Sequence, residues 1–89
     1  MALPVPGLAS GSVEIDGIAV PIRSLSRDEV VALSALREDT GAAEVFILSR
    51  SCAITEDEAR DWRTKVDAAT AGELLSAIAV LSGLERGNA

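Results

Sequence analysis

The side chains of this chain that could do chemistry are a single cysteine and a set of clustered carboxylates. Cys52 would act as a nucleophile only as a thiolate, and the histidine that usually activates a thiol does not occur anywhere in the sequence. We therefore expect Cys52 to be a packing residue. Asp57 and Asp61 could in principle share a proton, but on an exposed helix start both carboxylates would stay ionised.

The acidic segment that contains Glu56, Asp57, Glu58 and Asp61 also raises the question of a cation site. It lacks the alternating carboxylates and the glycine of a calcium loop, so it is better explained as the start of a helix whose dipole favours negative charge. The sequence has no glycine-rich phosphate loop, no Cys-x-x-Cys pair and no serine in a nucleophile elbow. These observations predict a protein that is not an enzyme and that has no catalytic, cofactor or metal site.

Composition narrows the classes of partner. The chain has 89 residues, with 14 acidic and 8 basic side chains and a net charge of −6. This length suits one domain, and the negative charge disfavours nucleic acids and anionic membrane surfaces. No apolar stretch reaches the ~20 residues of a membrane span, and no secretory signal opens the chain, so the expected location is the cytoplasm.

A β-hairpin is predicted around Asp16-Gly17, because both central residues of a type I′ turn need a positive φ. Apolar residues alternate on either side of this pair, and the turn would place Ile15 opposite Ile18. Residues 1–11 precede the hairpin without any periodic pattern, and they are predicted to form a flexible arm. This arm is either a frayed terminus or a tail that becomes ordered on a partner.

Four short helices are predicted after the hairpin, from capping signals and apolar spacing. Three capping boxes would start helices at Ser26, Thr55 and Thr70, and a helix over residues 42–51 would be capped by Thr40 or Asp39. The first helix is expected to fade between residues 37 and 41. A buried strand over residues 45–48 is the alternative for the second. Gly83 would end the last helix in a left-handed conformation.

The expected fold is therefore α+β and mainly helical, with a single domain over residues 12–84 and a frayed C-terminus over residues 85–89. Trp62, one of only two aromatic residues, is expected to anchor the third helix against the core. The residues expected to determine the fold are Asp16, Gly17, Ser26, Glu29, Thr55, Glu58, Trp62, Thr70, Glu73 and Gly83.

Two segments are apolar on all sides, residues 45–48 and 74–81. Either they are the central helices of the domain, or part of their surface meets a partner protein or further copies of the chain in a homo-oligomer. On the second interpretation they would form an apolar groove for a partner helix. The candidate partner-binding residues are Phe46, Ile47, Leu75, Ile78, Leu81 and Leu84.

Several short motifs follow one another between residues 13 and 84. They are Val-x-Ile-x-Gly-x-x-Val (13–20), Ile-Arg-Ser-Leu-Ser (22–26) followed by Asp28-Glu29, Glu44 before an apolar run, Ile-Thr-Glu-Asp-Glu (54–58) with Trp62, and Ala77-Ile78 with Leu-Ser-Gly-Leu (81–84). In this order and spacing the chain resembles the small tail assembly chaperones of long-tailed bacteriophages and related phage-derived particles.

The resemblance implies a chaperone that coats the aggregation-prone tape measure protein before the tail tube polymerises around it. Such a chaperone works in the host cytoplasm and is absent from the mature virion. In that family a longer form, made by ribosomal frameshifting, carries an extension thought to recruit the tail tube protein, and this chain resembles the short form. The implied partners are the tape measure protein, the long form and the tail tube protein.

Two alternatives of other classes remain. The chain could be a structural or scaffold subunit of a virion that assembles with itself through the same apolar helices. It could also be a protein-interaction adaptor domain with no connection to phage.

Overall fold

The computed structural model describes residues 3–84, which form an antiparallel two-stranded hairpin followed by four helices. This confirms the expected α+β, mainly helical class. The predicted frayed segment over residues 85–89 and the first two residues of the predicted arm lie outside the described residues. The elements are β1 (Ser10–Ile15), β2 (Ile18–Arg23), α1 (Arg27–Ser34), α2 (Thr40–Ser51), α3 (Glu56–Lys65) and α4 (Ala68–Leu81).

The hairpin has the predicted turn and the predicted register. Asp16 and Gly17 take φ values of +55° and +79°, as a type I′ turn requires, and Ile15 lies opposite Ile18. Strand β1 begins at Ser10, so the last two residues of the predicted arm belong to the sheet. One further pair of residues extends the contact beyond the strands, because the Ser24 N–H donates to the carbonyl of Ala9 at 2.7 Å.

The outer edge of β2 is defined by the alternation of the ladder. The residues that flank a two-residue turn form a hydrogen-bonded pair, so Ala19, Pro21 and Arg23 direct their backbone groups away from β1. The N–H that Pro21 lacks would therefore have pointed out of the sheet, as expected for a proline in an edge strand. Arg23 uses its outward groups to bond Ser51 at the end of α2.

Two of the three predicted capping boxes are confirmed. At the start of α1 the Ser26 hydroxyl accepts from the Glu29 N–H at 3.2 Å, and the Glu29 carboxylate accepts from the Ser26 N–H at 2.8 Å. Thr55 and Glu58 make the same pair of bonds before α3. The Asp39 carboxylate caps α2, which starts two residues earlier than predicted and is helical rather than a strand.

The third capping box is wrong, because α4 begins before it. The helix starts at Ala68 with Asp67 as N-cap, and the Asp67 side chain makes no capping bond. Ala68 and its alanine neighbour have the highest helix propensity, and the helix begins three residues before the start that a cap at Thr70 would give. Thr70 and Glu73 consequently lie inside α4 and do not mark its boundary.

Helix α1 is also shorter than predicted, since it ends at Ser34. Beyond it the backbone bonds reach back three residues, as in the bond from the Leu36 N–H to the Leu33 carbonyl at 2.9 Å. This tighter winding ends the α-helix and leads the chain to Asp39, the cap of α2.

The predicted end of α4 is confirmed, and α2 ends in a related way that was not predicted. Gly83 has a φ of +74°, and the Leu84 N–H bonds the Ala79 carbonyl at 2.8 Å, which completes a Schellman motif. At the end of α2 the left-handed position is taken by Ala53, with a φ of +57°, and the Ile54 N–H bonds the carbonyl of Ser49.

The core lies where α2 and α4 meet the hairpin and α3. Leu48 and Ile78 are its largest completely buried side chains. The junction between β2 and α1 is joined to the end of α4, because the Leu25 N–H donates to the hydroxyl of Ser82 at 2.9 Å. The buried apolar residues are Ile22, Leu25, Val45, Leu48, Ala59, Leu74 and Ile78.

Helix length also bears on membrane insertion. None of the helices within residues 3–84 has the length and apolar character needed to cross a bilayer.

Candidate functional site

The six residues predicted to bind a partner do not form one groove. Ile78 is 0% exposed and belongs to the core, so its predicted contact with a partner is corrected to a packing role. Ile47 and Leu81 are half-buried and pack against the same core. Leu84 is exposed at the end of α4.

The remaining two predicted residues lie in different pockets. Phe46 lines a pocket between α2 and α3, and the guanidinium carbon of Arg50 lies 4.7 Å from the centre of its ring. Leu75 lines a separate pocket beside Val66 and Gly72. The predicted groove is therefore divided, because α2 and α4 turn their most apolar sides toward the core.

The main apolar opening lies between the hairpin and α3 instead. We call it the hairpin cleft, and its volume is about 550 Å³. Trp62 of α3 forms one wall, and strand β2 forms the opposite wall. This volume is within the range of protein sites that bind small ligands or a few anchoring side chains. The lining residues are Ile15, Ile18, Ala19, Val20, Pro21, Leu48, Cys52, Ile54, Glu58, Asp61, Trp62, Lys65 and Leu74.

The cleft exists because the hairpin covers the core along only part of its length. Ile22, at the open end of β2, is buried, whereas Ile18, next to the turn, is 67% exposed. Trp62 is half-buried and packs against the core. Its predicted role as an anchor of the fold is therefore combined with a second role, since the exposed part of the ring supplies apolar surface to the cleft.

The rim of the cleft is acidic. Glu58 and Asp61 lie there with Lys65, whose ammonium is 3.0 Å from the Asp61 carboxylate, so one of the two negative charges has no cationic partner at the rim. Inside the cleft, burial raises the pKa of the Cys52 thiol, which keeps it protonated and unreactive at neutral pH. An apolar ligand with a positive charge at its edge would suit these surroundings.

Strand β2 adds backbone groups to the cleft. Ala19 directs its N–H and C=O outward, and Pro21 directs its C=O outward, and these groups have no hydrogen-bond partner within residues 3–84. Both residues line the cleft and are exposed. The cleft therefore combines an apolar floor with a short free strand edge.

The acidic start of α3 makes its contacts within the helix. The Arg60 guanidinium donates to the Asp57 carboxylate at 2.9 Å and to that of Glu56 at 3.3 Å. Across residues 3–84 no three side chains of the metal-binding types come together as a ligand set. These carboxylates serve the dipole and the surface of α3.

The sequence did not indicate an ion pair that joins β2 to α1. The Arg23 guanidinium binds the Glu29 carboxylate through two bonds of 2.8 Å each, and it also donates to the Ser24 carbonyl. This contact with Arg23, aided by the Ser26 N–H and opposed by burial, lowers the pKa of Glu29 to about 2. Glu29 thus caps α1 and fixes the end of the hairpin with one carboxylate.

Comparison with protein-family models, with curated proteins and with solved structures gives no match for this chain. The hairpin cleft and the motifs between residues 13 and 84 are therefore the features that bear on function.

Proposed function

We propose that this chain is a tail assembly chaperone, which binds an amphipathic helical segment of a tape measure protein and keeps that protein soluble during tail assembly. The observation that carries the proposal is the hairpin cleft, an open apolar site between β2 and α3. The motif residues support it indirectly. Asp16-Gly17, Ser26 and Gly83 build the turn and the helix ends that the resemblance requires.

A helical client would bind by placing the large side chains of its apolar stripe in the cleft. Trp62 and Ile18 would contact these side chains from opposite walls. The acidic rim formed by Glu58 and Asp61 favours a client segment with lysine or arginine beside the stripe. The cleft is too small for a whole helix, so several copies of the chaperone along one client would be needed to cover it.

The location and the further partners of the chain follow from its proposed role as a tail assembly chaperone. The chaperone would act in the host cytoplasm and would leave the client before the virion is complete. A frameshifted long form and the tail tube protein would be further partners. The proposal gives no role to nucleic acid or to a membrane.

Co-expression with the tape measure protein tests the proposal. The unmodified chain should keep the client in the soluble fraction and should co-purify with it. Ile18→Asp places a charge on the cleft wall at an exposed position, so the domain should stay folded and the client should be lost. Val31→Asp is the matched control, since Val31 is a similarly exposed apolar residue on α1, outside the residues that line the cleft.

Two results would contradict the proposal. One is a client that stays insoluble with the unmodified chain. The other is equal client binding by Ile18→Asp and Val31→Asp. Rings or tubes formed by the chain alone, unchanged by the client, would instead support the self-assembling virion subunit. Binding to a partner that is not a phage protein would support the adaptor domain.

A further inference from the structure

The segment that precedes β1 exposes large apolar side chains to water. Leu3 is 85% exposed and Val5 is 88% exposed, and no residue between positions 3 and 9 is charged. We call residues 3–9 the arm. Burial of such side chains is favourable by about 25 cal/mol for each Å² removed from water. The arm therefore gains free energy wherever it reaches an apolar surface.

The prolines of the arm leave it with only one side able to pair fully as a strand. In an extended chain the N–H and C=O groups of successive residues point to opposite sides. Pro4 and Pro6 have no N–H, and both fall on the same side. Leu3, Val5 and Gly7 keep their N–H groups on the other side. The arm can thus act as an edge strand through its odd-numbered residues.

The free edge of β2 complements this side of the arm. With Val5 placed antiparallel to Ala19, the two residues would exchange both of their backbone hydrogen bonds. In the same register the Leu3 N–H would donate to the outward carbonyl of Pro21. Pro21 has no N–H, so this pairing leaves no donor of β2 without a partner. The uncharged arm would at the same time cover the apolar floor of the hairpin cleft.

We propose that the hairpin cleft binds the arm of a second copy of this chain, as an added strand on β2. The arm cannot make this pairing within its own molecule. Ala9 is fixed beside Ser24, and the four residues back to Val5 span at most about 14 Å. Ala19 lies about 17 Å from Ser24 along the strand, toward the turn. The arm leaves the sheet in the opposite direction, so Val5 cannot reach Ala19 of its own chain.

This inference goes beyond the proposed function and holds for any client. Copies that exchange arms form a closed dimer, and copies that pass arms one way form a ring or a filament. In either arrangement an arm occupies the cleft and a client must displace it. The chaperone would therefore hide its own apolar site when no client is present.

Sedimentation velocity of the full chain over a range of concentrations tests the pairing. Val5→Pro removes one N–H from the pairing side and keeps an apolar residue, so association should weaken by about tenfold. Pro6→Ala is the matched control, because it restores an N–H on the side that faces away, and association should not change. Since Val5 makes no contact with the core, the fold cannot be lost in this variant.

A change in β2, the strand that would receive the arm, should also weaken self-association. Ala19→Pro removes the outward N–H of β2 and leaves the ladder to β1 intact, so association should again weaken by about tenfold. The amide of Ala19 should exchange more slowly with solvent as the concentration of the unmodified chain rises. Circular dichroism would verify that Ala19→Pro is folded. If it is not folded, the association of Val5→Pro alone tests the pairing.

The inference is overturned if the chain stays monomeric at all concentrations, or if Val5→Pro associates as strongly as Pro6→Ala. It is also overturned if the Ala19 amide is protected equally at low and high concentration, since the contact would then lie within one molecule. Client binding by Val5→Pro separates the two proposals. A variant that no longer self-associates should still bind the tape measure protein, and more tightly because no arm competes.

Discussion

The hydroxyl of Ser51 makes two hydrogen bonds with the backbone of Arg23: it donates to the carbonyl oxygen at 2.7 Å and accepts from the N–H at 3.2 Å. One side chain at the end of α2 thus takes the place of a neighbouring strand at the end of β2. This contact fixes the open end of the hairpin to the helices. Within residues 3–84 no equivalent hydrogen bond joins the turn end to the helices, and there the hairpin cleft opens.

Ser51→Ala should therefore destabilise the domain more than a serine substitution usually does. Ser51 is buried, and its removal leaves the N–H and C=O of Arg23 without partners, at a cost of about 1 to 3 kcal/mol. Urea unfolding followed by circular dichroism would measure the change. Ser34→Ala is the control, because its exposed hydroxyl bonds only within α1 and its loss should change the stability by less than about 0.5 kcal/mol. Equal effects of the two substitutions would contradict this account.

Ala53→Gly should stabilise the domain. Ala53 has a φ of +57°, a left-handed conformation that costs a residue with a Cβ about 1 to 2 kcal/mol. Glycine removes this cost and adds entropy to the unfolded chain, so a net gain of about 0.5 to 1 kcal/mol is expected. Thermal unfolding would show a higher midpoint.

The reverse substitution at the end of α4 provides the matched test. Gly83→Ala introduces a Cβ at a φ of +74° with open space around it, so the loss should come from the backbone conformation and should be about 1 kcal/mol. Stabilisation by Gly83→Ala, or destabilisation by Ala53→Gly, would show that the two helix ends are not left-handed.

Acid should weaken the domain through Glu29. Its pKa is about 2 in the folded protein, below the value of an unpaired glutamate, because of the bond to Arg23. The folded state gains stability from the ionised carboxylate above the unfolded pKa, near 4.5, and loses it as the pH falls toward 2. The gain is about 1 to 2 kcal/mol after discounting for the partial exposure of both side chains.

Glu29→Gln isolates this contribution. At neutral pH the variant should be less stable than the unmodified protein, and the two should converge as the pH approaches 2. Urea unfolding at a series of pH values would measure the convergence. A difference between the two proteins that stays constant from pH 7 to pH 2 would show that the charge of Glu29 does not stabilise the fold.

Trp62→Ala should lower the stability by about 2 to 3 kcal/mol. A fully buried tryptophan costs about 3 to 5 kcal/mol when truncated, and Trp62 is only half-buried. The domain should still unfold cooperatively by circular dichroism, with the cleft enlarged and its affinity for an apolar partner reduced. Leu48→Ala, in the centre of the core, should destabilise at least as much, because Leu48 is completely buried. A larger loss at Trp62 would place that ring in the core instead of at the cleft.

The features that could be predicted from the sequence are those that depend on neighbouring residues. The turn at Asp16-Gly17 and the stop at Gly83 each depend on a local left-handed backbone conformation, and the capping box at Ser26 depends on bonds to a residue three positions away. All three are confirmed. The predicted start of α4 is wrong because the helix propensity of Ala68 outweighs the cap that Thr70 could provide.

The cleft could not be predicted, because it depends on how far the hairpin extends beyond the core. Alternation places Ile18 and Ile22 on one face of the sheet, yet the first is exposed and the second is buried. The pairing of Arg23 with Glu29 and Ser51 likewise depends on distances between elements. Sequence spacing gives no information on such distances until the packing of the helices is known.

The bond from the Leu25 N–H to the Ser82 hydroxyl has a practical consequence for experiments on this domain. Since Ala9 bonds the adjacent Ser24, both ends of the folded unit emerge from one pole, opposite the Asp16-Gly17 turn. Fluorophores attached at the two ends of the folded unit, near Ala9 and Ser82, would report on opening of the domain through energy transfer. A purification tag or a surface linker joined after residue 84 would leave the opposite pole unobstructed for binding measurements.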